Sequence, residues 1–372
     1  MIIKNGLVFR GTALVRDDVY IEDAVFARSA GGEVLDAQGC IVAPGFVDIH
    51  IHGAMGTDFC DGTVAADENI AAYLASVGVT SYLGTTVAYD PDALLDVMGV
   101  AKEMIAHPRP GAAAMRGINL EGVFASANKL GAMQEKYLLK PDYDYLLKLH
   151  TASGSNLRLI DVAAELEGAE EFIAKACRLG RVSLHHTGSN YEQARRCFAA
   201  GASHLTHLFN AMTPFGHREP GVIGAASDYA EFVELISDGI HIHPAAIRAA
   251  FRWFGEDRVC LISDSMEACG MAGGEYQLGG QKVTVVAGKA TLDSGTIAGS
   301  ATPLTEMFRR AVKEFFVPLT SALRACTSNP AQAAGLYDTV GSIAWGKAGD
   351  LTILDADTLR PVHCVIGGKL VF

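Results

Sequence analysis

Eight apolar, strand-like stretches recur between residues 45 and 265, and helix-like stretches lie between most of them. The strand candidates are GFVDIHIHG (45–53), VTSYLGTT (79–86), MRGINLEG (115–122), NLRLIDVAAE (156–165), VSLHHTG (182–188), HLTHLFN (204–210), FVELISDG (232–239) and VCLISDS (259–265). Helical patterns such as AADENIAAYLASVG, DALLDVMGVAKEMIA, YEQARRCFAAG and PAAIRAAFRWFG separate them. Few architectures accept this alternation, because each β-then-α unit needs a parallel neighbour. Eight such units predict an α/β fold closed into an eight-stranded β/α barrel, whose typical ~250 residues match the central stretch. An open doubly wound sheet would also alternate, but no glycine-rich dinucleotide fingerprint supports it. The two chain ends read differently, with β-branched residues, Gly or Asp turns and no helical period. They are expected to pair into one small β-sandwich domain, residues 1–43 with 340–372, beside a barrel over 44–339.

Composition narrows the partners. The chain has 372 residues, 49% of them hydrophobic, enough for one large core and a small accessory domain. Its net charge is −12 and no Lys/Arg cluster appears, which argues against nucleic acid and acidic membrane surfaces. An anionic substrate therefore needs a local basic site. No apolar run reaches the length of a membrane span, and the opening MIIKNGLVFRG lacks a signal-peptide layout. Eight scattered cysteines without a CxxC pair suit a reducing cytoplasm.

Titratable residues gather where the strand candidates end. The first carries Asp48, His50 and His52 in alternation with Val47, Ile49 and Ile51. Strand side chains switch faces at each residue, so the apolar set can pack outward while both imidazoles face the barrel mouth. The third ends in Glu121, the fifth in His185 and His186, and the sixth in His207. The seventh ends in Asp238 with His241 just beyond, and the eighth in Asp264. Barrel active sites lie at this rim. One histidine alone is more often structural, but so many convergent imidazoles and carboxylates suit a divalent metal. Of the adjacent pair, His186 fits the ligand role better than His185.

PGFVDIHIHG resembles the first-strand signature of the amidohydrolase superfamily. LEG (120–122), HTGSNYEQA (186–194), THLFNAM (206–212), HREPGVIGAA (217–226), SDGIHIHP (237–244) and SDSMEACGM (263–271) narrow the resemblance to the N-acetylglucosamine-6-phosphate deacetylase family. TIAGSATPL near 296 and the closing GKAGDLTILD agree, so the resemblance spans nearly the whole chain. It implies Glu121, His186 and His207 as shared metal ligands, with His50 and His52 holding a second ion. Some members replace those two residues and work with one metal. It implies Asp264 as general base and acid, Asn210, the Ala211 backbone and Arg218 as sugar-phosphate contacts, and His241 as a further substrate contact. The implied cofactor is one or two divalent ions per chain, zinc first, with iron, manganese or cobalt as alternatives. The implied assembly is a homodimer or homotetramer. The implied reaction is hydrolysis of the N-acetyl group of an amino-sugar phosphate.

Four positions depart from the family pattern. Asn119 stands for the His of HLEGPF, Val123 for its Pro, and Met133 for the His of GAH. His185 stands where glycine is common. A thioether cannot replace an imidazole's hydrogen bonds, so another N-acylated hexosamine phosphate, such as N-acetylgalactosamine 6-phosphate, or another N-acyl or cyclic amide is the competing substrate. Cyclic-amide members often bridge their metals with a carboxylated lysine, whereas here Glu121 takes that place. A non-catalytic binding protein is the third reading, and the retained ligand set argues against it.

Overall fold

The computed structural model describes residues 1–372. Its central sheet has eight parallel strands in sequence order: β1 (Phe46–Ile51), β2 (Val79–Thr85), β3 (Ala114–Phe124), β4 (Leu157–Val162), β5 (Arg181–Leu184), β6 (Ala202–Leu205), β7 (Phe232–Ile236) and β8 (Val259–Ile262). The sheet closes between its first and last members: Ile51 bridges Ser265 in parallel, and the Asp264 N–H donates to the His50 carbonyl at 2.9 Å. Eight strand-then-helix units thus make a β/α barrel. Each expected strand is present, but the fifth to eighth stop short of the residues that matter chemically. β5 ends at Leu184, before His185 and His186; β6 ends before His207; β7 ends before Asp238; β8 ends before Asp264. After β5, β6 and β8 the reason is backbone conformation: His186, His207 and Asp264 have φ of 35°, 29° and 46°, outside any strand.

Local sequence explains several helices. Asp90 accepts the N–H groups of Asp92 and Ala93 ahead of Pro91, so a cap and a first-turn proline start the helix Pro91–Ala106. Asn190 and Gln193 form a reciprocal capping box at the head of Tyr191–Ala200. Helix α1 (Val64–Ser76) starts at Thr63, whose side chain accepts from the Ala66 N–H. The sequence reading did not anticipate the helix Tyr143–Ala152, the three-stranded sheet of Gly274–Leu278, Gln281–Val286 and Lys289–Thr291, or the three helices between Leu304 and Ala333.

Both chain ends fold into β structure. A four-stranded sheet uses residues 2–36 alone, and a six-stranded sheet mixes the two ends. In the second, Cys40–Pro44 pairs antiparallel with Leu351–Asp355. Ile3, Val19, Ile21 and Phe26 of the first sheet pack on Val8, Val42, Leu351 and Ile353 of the second, a core separate from the barrel's. The larger core, 91 buried residues centred on the barrel, also takes in Phe9, Ile41 and Leu354 from the chain ends. No helix is long and apolar enough to cross a membrane.

Candidate metal centre and substrate pocket

The rim residues converge in two groups. His50, His52 and Asp264 place ligand atoms within 4.8 Å of one another, and so do Glu121, His186 and His207. All six are buried. Glu121 spans the two. Its Oε1 lies 3.1 Å from His207 Nε2 and 3.5 Å from His186 Nε2, while its Oε2 lies 3.5 Å from His52 Nε2 and 3.7 Å from His50 Nε2. Asp264 Oδ1 lies 3.2 Å from His52 Nε2 and 3.5 Å from His50 Nε2. Most of these separations exceed a good hydrogen bond. His50 Nε2 has no hydrogen-bond partner although its residue is fully buried. Nitrogen and carboxylate atoms that converge at separations mostly too long for good hydrogen bonds fit a divalent cation between them.

The backbone aims these side chains. Left-handed φ values at His186, His207 and Asp264 turn the chain sharply just past each strand, and such strain persists only when neighbours hold it. The Ser300 N–H donates to the Asp264 carbonyl at 2.7 Å, and the Ser126 N–H to the His186 carbonyl at 3.0 Å. The rings are fixed from behind. His186 Nδ1 lies 2.7 Å from the Lys129 carbonyl and His52 Nδ1 lies 3.2 Å from the Thr85 carbonyl. In both, Nδ1–H faces the protein, which leaves Nε2 toward the centre. His50 Nδ1 lies 2.9 Å from Glu234 Oε2.

The electrostatics favour charge separation. Burial opposes ionisation of Glu121, yet the charge of His50 and hydrogen bonds from His186 and His207 hold its carboxyl well below the usual range. Asp264 is likewise opposed by burial, and the His52 hydrogen bond with the charges of His50, His52 and His207 brings it to about 2. Burial lowers the basicity of His50, but Glu234 and Glu121 raise it well above its ordinary value. Charge attraction thus draws His50 and His52 toward Glu121 and Asp264. A divalent ion competes for the same atoms.

A cavity of about 330 Å³ opens beside the two groups. His52, Glu121, His186, His207 and Asp264 line its floor. Of the expected substrate contacts, Asn210, Ala211 and His241 line it too, whereas Arg218 does not. Arg218 is exposed on the turn before the helix Gly221–Tyr229 and forms no ion pair, even with Glu219. His241 is held by Asp238, whose Oδ2 lies 2.7 Å from Nδ1 and whose Oδ1 accepts the Ile240 and His241 N–H groups. Burial opposes protonation of His241, and Asp238 outweighs it to raise the imidazole's pKa. The departures separate in space. Met133 lines the cavity, but Asn119 lies behind it, its amide 3.3 Å from the Ile49 carbonyl. Val123 is core, and His185 is buried with Nε2 3.4 Å from the Gly122 N–H. Burial keeps His185 neutral, its pKa well below the ordinary value.

Sequence reasoning missed two contributors. Leu278, on the unanticipated three-stranded sheet, reaches the cavity wall with Val87 and Ile297. Gln134 donates to the Gly279 carbonyl at 2.5 Å and Gln281 to the Ala132 carbonyl at 2.5 Å, so that sheet and the loop after β3 grip each other at the mouth. Nothing in the local sequence marks this contact. Glu234 did carry a signal, since it is an acidic residue inside the otherwise apolar run FVELI.

With the geometry established, comparison with known proteins is informative. Residues 160–371 match the amidohydrolase family. The chain is 36% identical over 336 residues to N-acetylglucosamine-6-phosphate deacetylase of Bacillus subtilis, covering 89% of this chain and 85% of that one. It is 34% identical to the Homo sapiens protein of the same name, covering 99% of this chain and 94% of that one. Among solved structures, the Mycobacterium smegmatis N-acetyl-D-glucosamine-6-phosphate deacetylase superposes with a TM-score of 0.92 at 32% identity, over 100% of this chain and 100% of that one. That enzyme has also been crystallised, as a mutant, with N-acetyl-D-glucosamine-6-phosphate.

Proposed function

Because the chain belongs to the N-acetylglucosamine-6-phosphate deacetylase family of the amidohydrolases, we propose that it hydrolyses N-acetylglucosamine 6-phosphate to glucosamine 6-phosphate and acetate. The observation that carries this reading is the split of Glu121 between two histidine groups, with Asp264 and a cavity directly beside them. The family is metal-dependent, and His50, His52, Glu121, His186 and His207 are the residues proposed to hold one or two ions. Zinc is the proposed occupant, and the same nitrogen and oxygen donors accept iron, manganese or cobalt. A divalent ion there supplies a lowered water pKa and a polarised carbonyl.

The chain's own groups supply the rest. Asp264 is ionised at neutral pH and lies on the cavity floor, so it can accept a proton from the attacking water. It then returns that proton to the amide nitrogen, because an amine leaves poorly unless protonated. Asn210, the Ala211 backbone and His241, which line the same cavity, are the groups proposed to orient the sugar phosphate. Arg218, an unpaired guanidinium, is assigned to the phosphate on family resemblance. Eight free cysteines, six of them buried, support a reducing, cytoplasmic setting.

A second reading rests on Met133. It lines the cavity with Val87, Leu278 and Ile297, an apolar wall where the family pattern places an imidazole. This favours an N-acyl hexosamine phosphate whose hydroxyls are oriented away from that side. The test is acetate release by metal-loaded protein from N-acetylglucosamine 6-phosphate, with the galactosamine epimer and the unphosphorylated sugar alongside. Rapid release that requires the phosphate and the gluco configuration supports the first reading. Preference for the epimer supports the second, and no release from any of them overturns both.

A further inference from the structure

We propose that Glu234 is the positioning residue that locks the two ligand groups together from beneath. It sits on β7, fully buried inside the barrel, and does not line the cavity. One oxygen serves both groups. Glu234 Oε2 accepts from His50 Nδ1–H at 2.9 Å and from the His207 N–H at 3.2 Å. The first bond fixes the His50 ring so that Nε2 faces Glu121 and Asp264. The second holds a residue whose φ is 29°. The Glu234 backbone adds to the same turn, since its carbonyl accepts the Leu208 N–H at 2.9 Å. Glu234 Oε1 faces His204 Nε2 at 3.9 Å, and neither atom has another partner. His204 is anchored in turn through Nδ1, 3.0 Å from Ser183 Oγ. A fully buried carboxylate that merely filled space would be costly. Here it acts through His50 and His207 and touches no reacting atom.

The inference rests on the metal reading above, but its test reads metal binding alone, so failure of the substrate reading leaves it intact. Metal-free protein is titrated with Co²⁺ by visible absorption, and bound zinc is counted per chain, for wild type, Glu234→Leu and Glu234→Gln. Glu234→Leu removes the acceptor and is expected to weaken metal affinity by ~10–100-fold. Glu234→Gln keeps an oxygen for His50 Nδ1–H and is expected to recover most of that loss. Wild-type affinity in Glu234→Leu overturns the proposal, as does equal weakening in both variants. One measurement needs no variant. Histidine ¹⁵N spectra of zinc-loaded wild type are expected to show His50 with its proton on Nδ1, and a proton on Nε2 overturns the assignment.

Discussion

Replacing Asp67 by Asn should stabilise this protein, and the gain should grow with pH. Asp67 lies in the first turn of α1, is 2% exposed, and its Oδ1 has no hydrogen-bond partner. Burial first, then the charges of Asp61 and Asp58, push its carboxyl from 3.8 to about 8. A raised acid holds its proton more tightly when folded. Stability from this group is therefore complete below pH 3.8 and declines as pH rises toward 8. The gap of about 4 pH units corresponds to about 5 kcal/mol at pH 8, at 1.36 kcal/mol per unit. An asparagine amide without partners costs about 1–3 kcal/mol in the same place. The net gain is then about 2–4 kcal/mol at pH 8. At pH 5 the charge contribution of Asp67 shrinks to below about 2 kcal/mol, so the gain largely disappears. The assay is urea unfolding of metal-free wild type and Asp67→Asn at pH 5 and pH 8. The difference between the two pH values, about 3–4 kcal/mol, cancels the amide penalty. An equal effect at both pH values would refute the reasoning, because it would mean that Asp67 carries no displaced proton.

Other expectations bear on catalysis. Asp264→Asn should retain the ion at Glu121, His186 and His207 but lose about 10²–10⁴ in turnover, and wild-type turnover would remove Asp264 from the mechanism. Met133→His should lower KM for N-acetylglucosamine 6-phosphate by roughly 10-fold, the worth of about one hydrogen bond, and an unchanged KM would show that the sugar does not meet this wall. Arg218→Ala should raise KM for the phosphorylated sugar by at least about 10-fold while sparing the unphosphorylated one, since a charged hydrogen bond contributes about 1.5–3 kcal/mol. Equal effects on both sugars would end the phosphate assignment.

Residues on regular strands were legible because periodicity determines where they point. His50 and His52 sit two apart on an extended segment with Val47, Ile49 and Ile51 on the other face, and their rings meet with centroids 5.1 Å apart. The turn residues were legible as candidate ligands only through their chemistry. A strand pattern cannot reveal that His186 and His207 adopt left-handed φ, so their positions looked like strand ends. Adjacent His185 and His186 were separable in role, since one faces the cavity and the other is buried behind it. Contacts set by distant segments were not legible at all. Leu278 reaches the cavity from a sheet about 150 residues beyond the β3 loop it packs against, and no local rule specifies that meeting. Arg218 shows the reverse case: a distinctive motif named it, yet the single chain leaves it outside the cavity.

The division of Glu121 between two histidine groups bears on how such a site is anchored. One group draws both its histidines from one short segment, His50 at the end of β1 and His52 just past it, with Asp264 as its third member. The other draws Glu121, His186 and His207 from three strand ends, and loss of any one dismantles it. Glu121 gives one oxygen to that second group and the other to the first. The two groups are therefore anchored differently: one rests on a single segment together with Asp264, and the other ties three separate βα units together through Glu121.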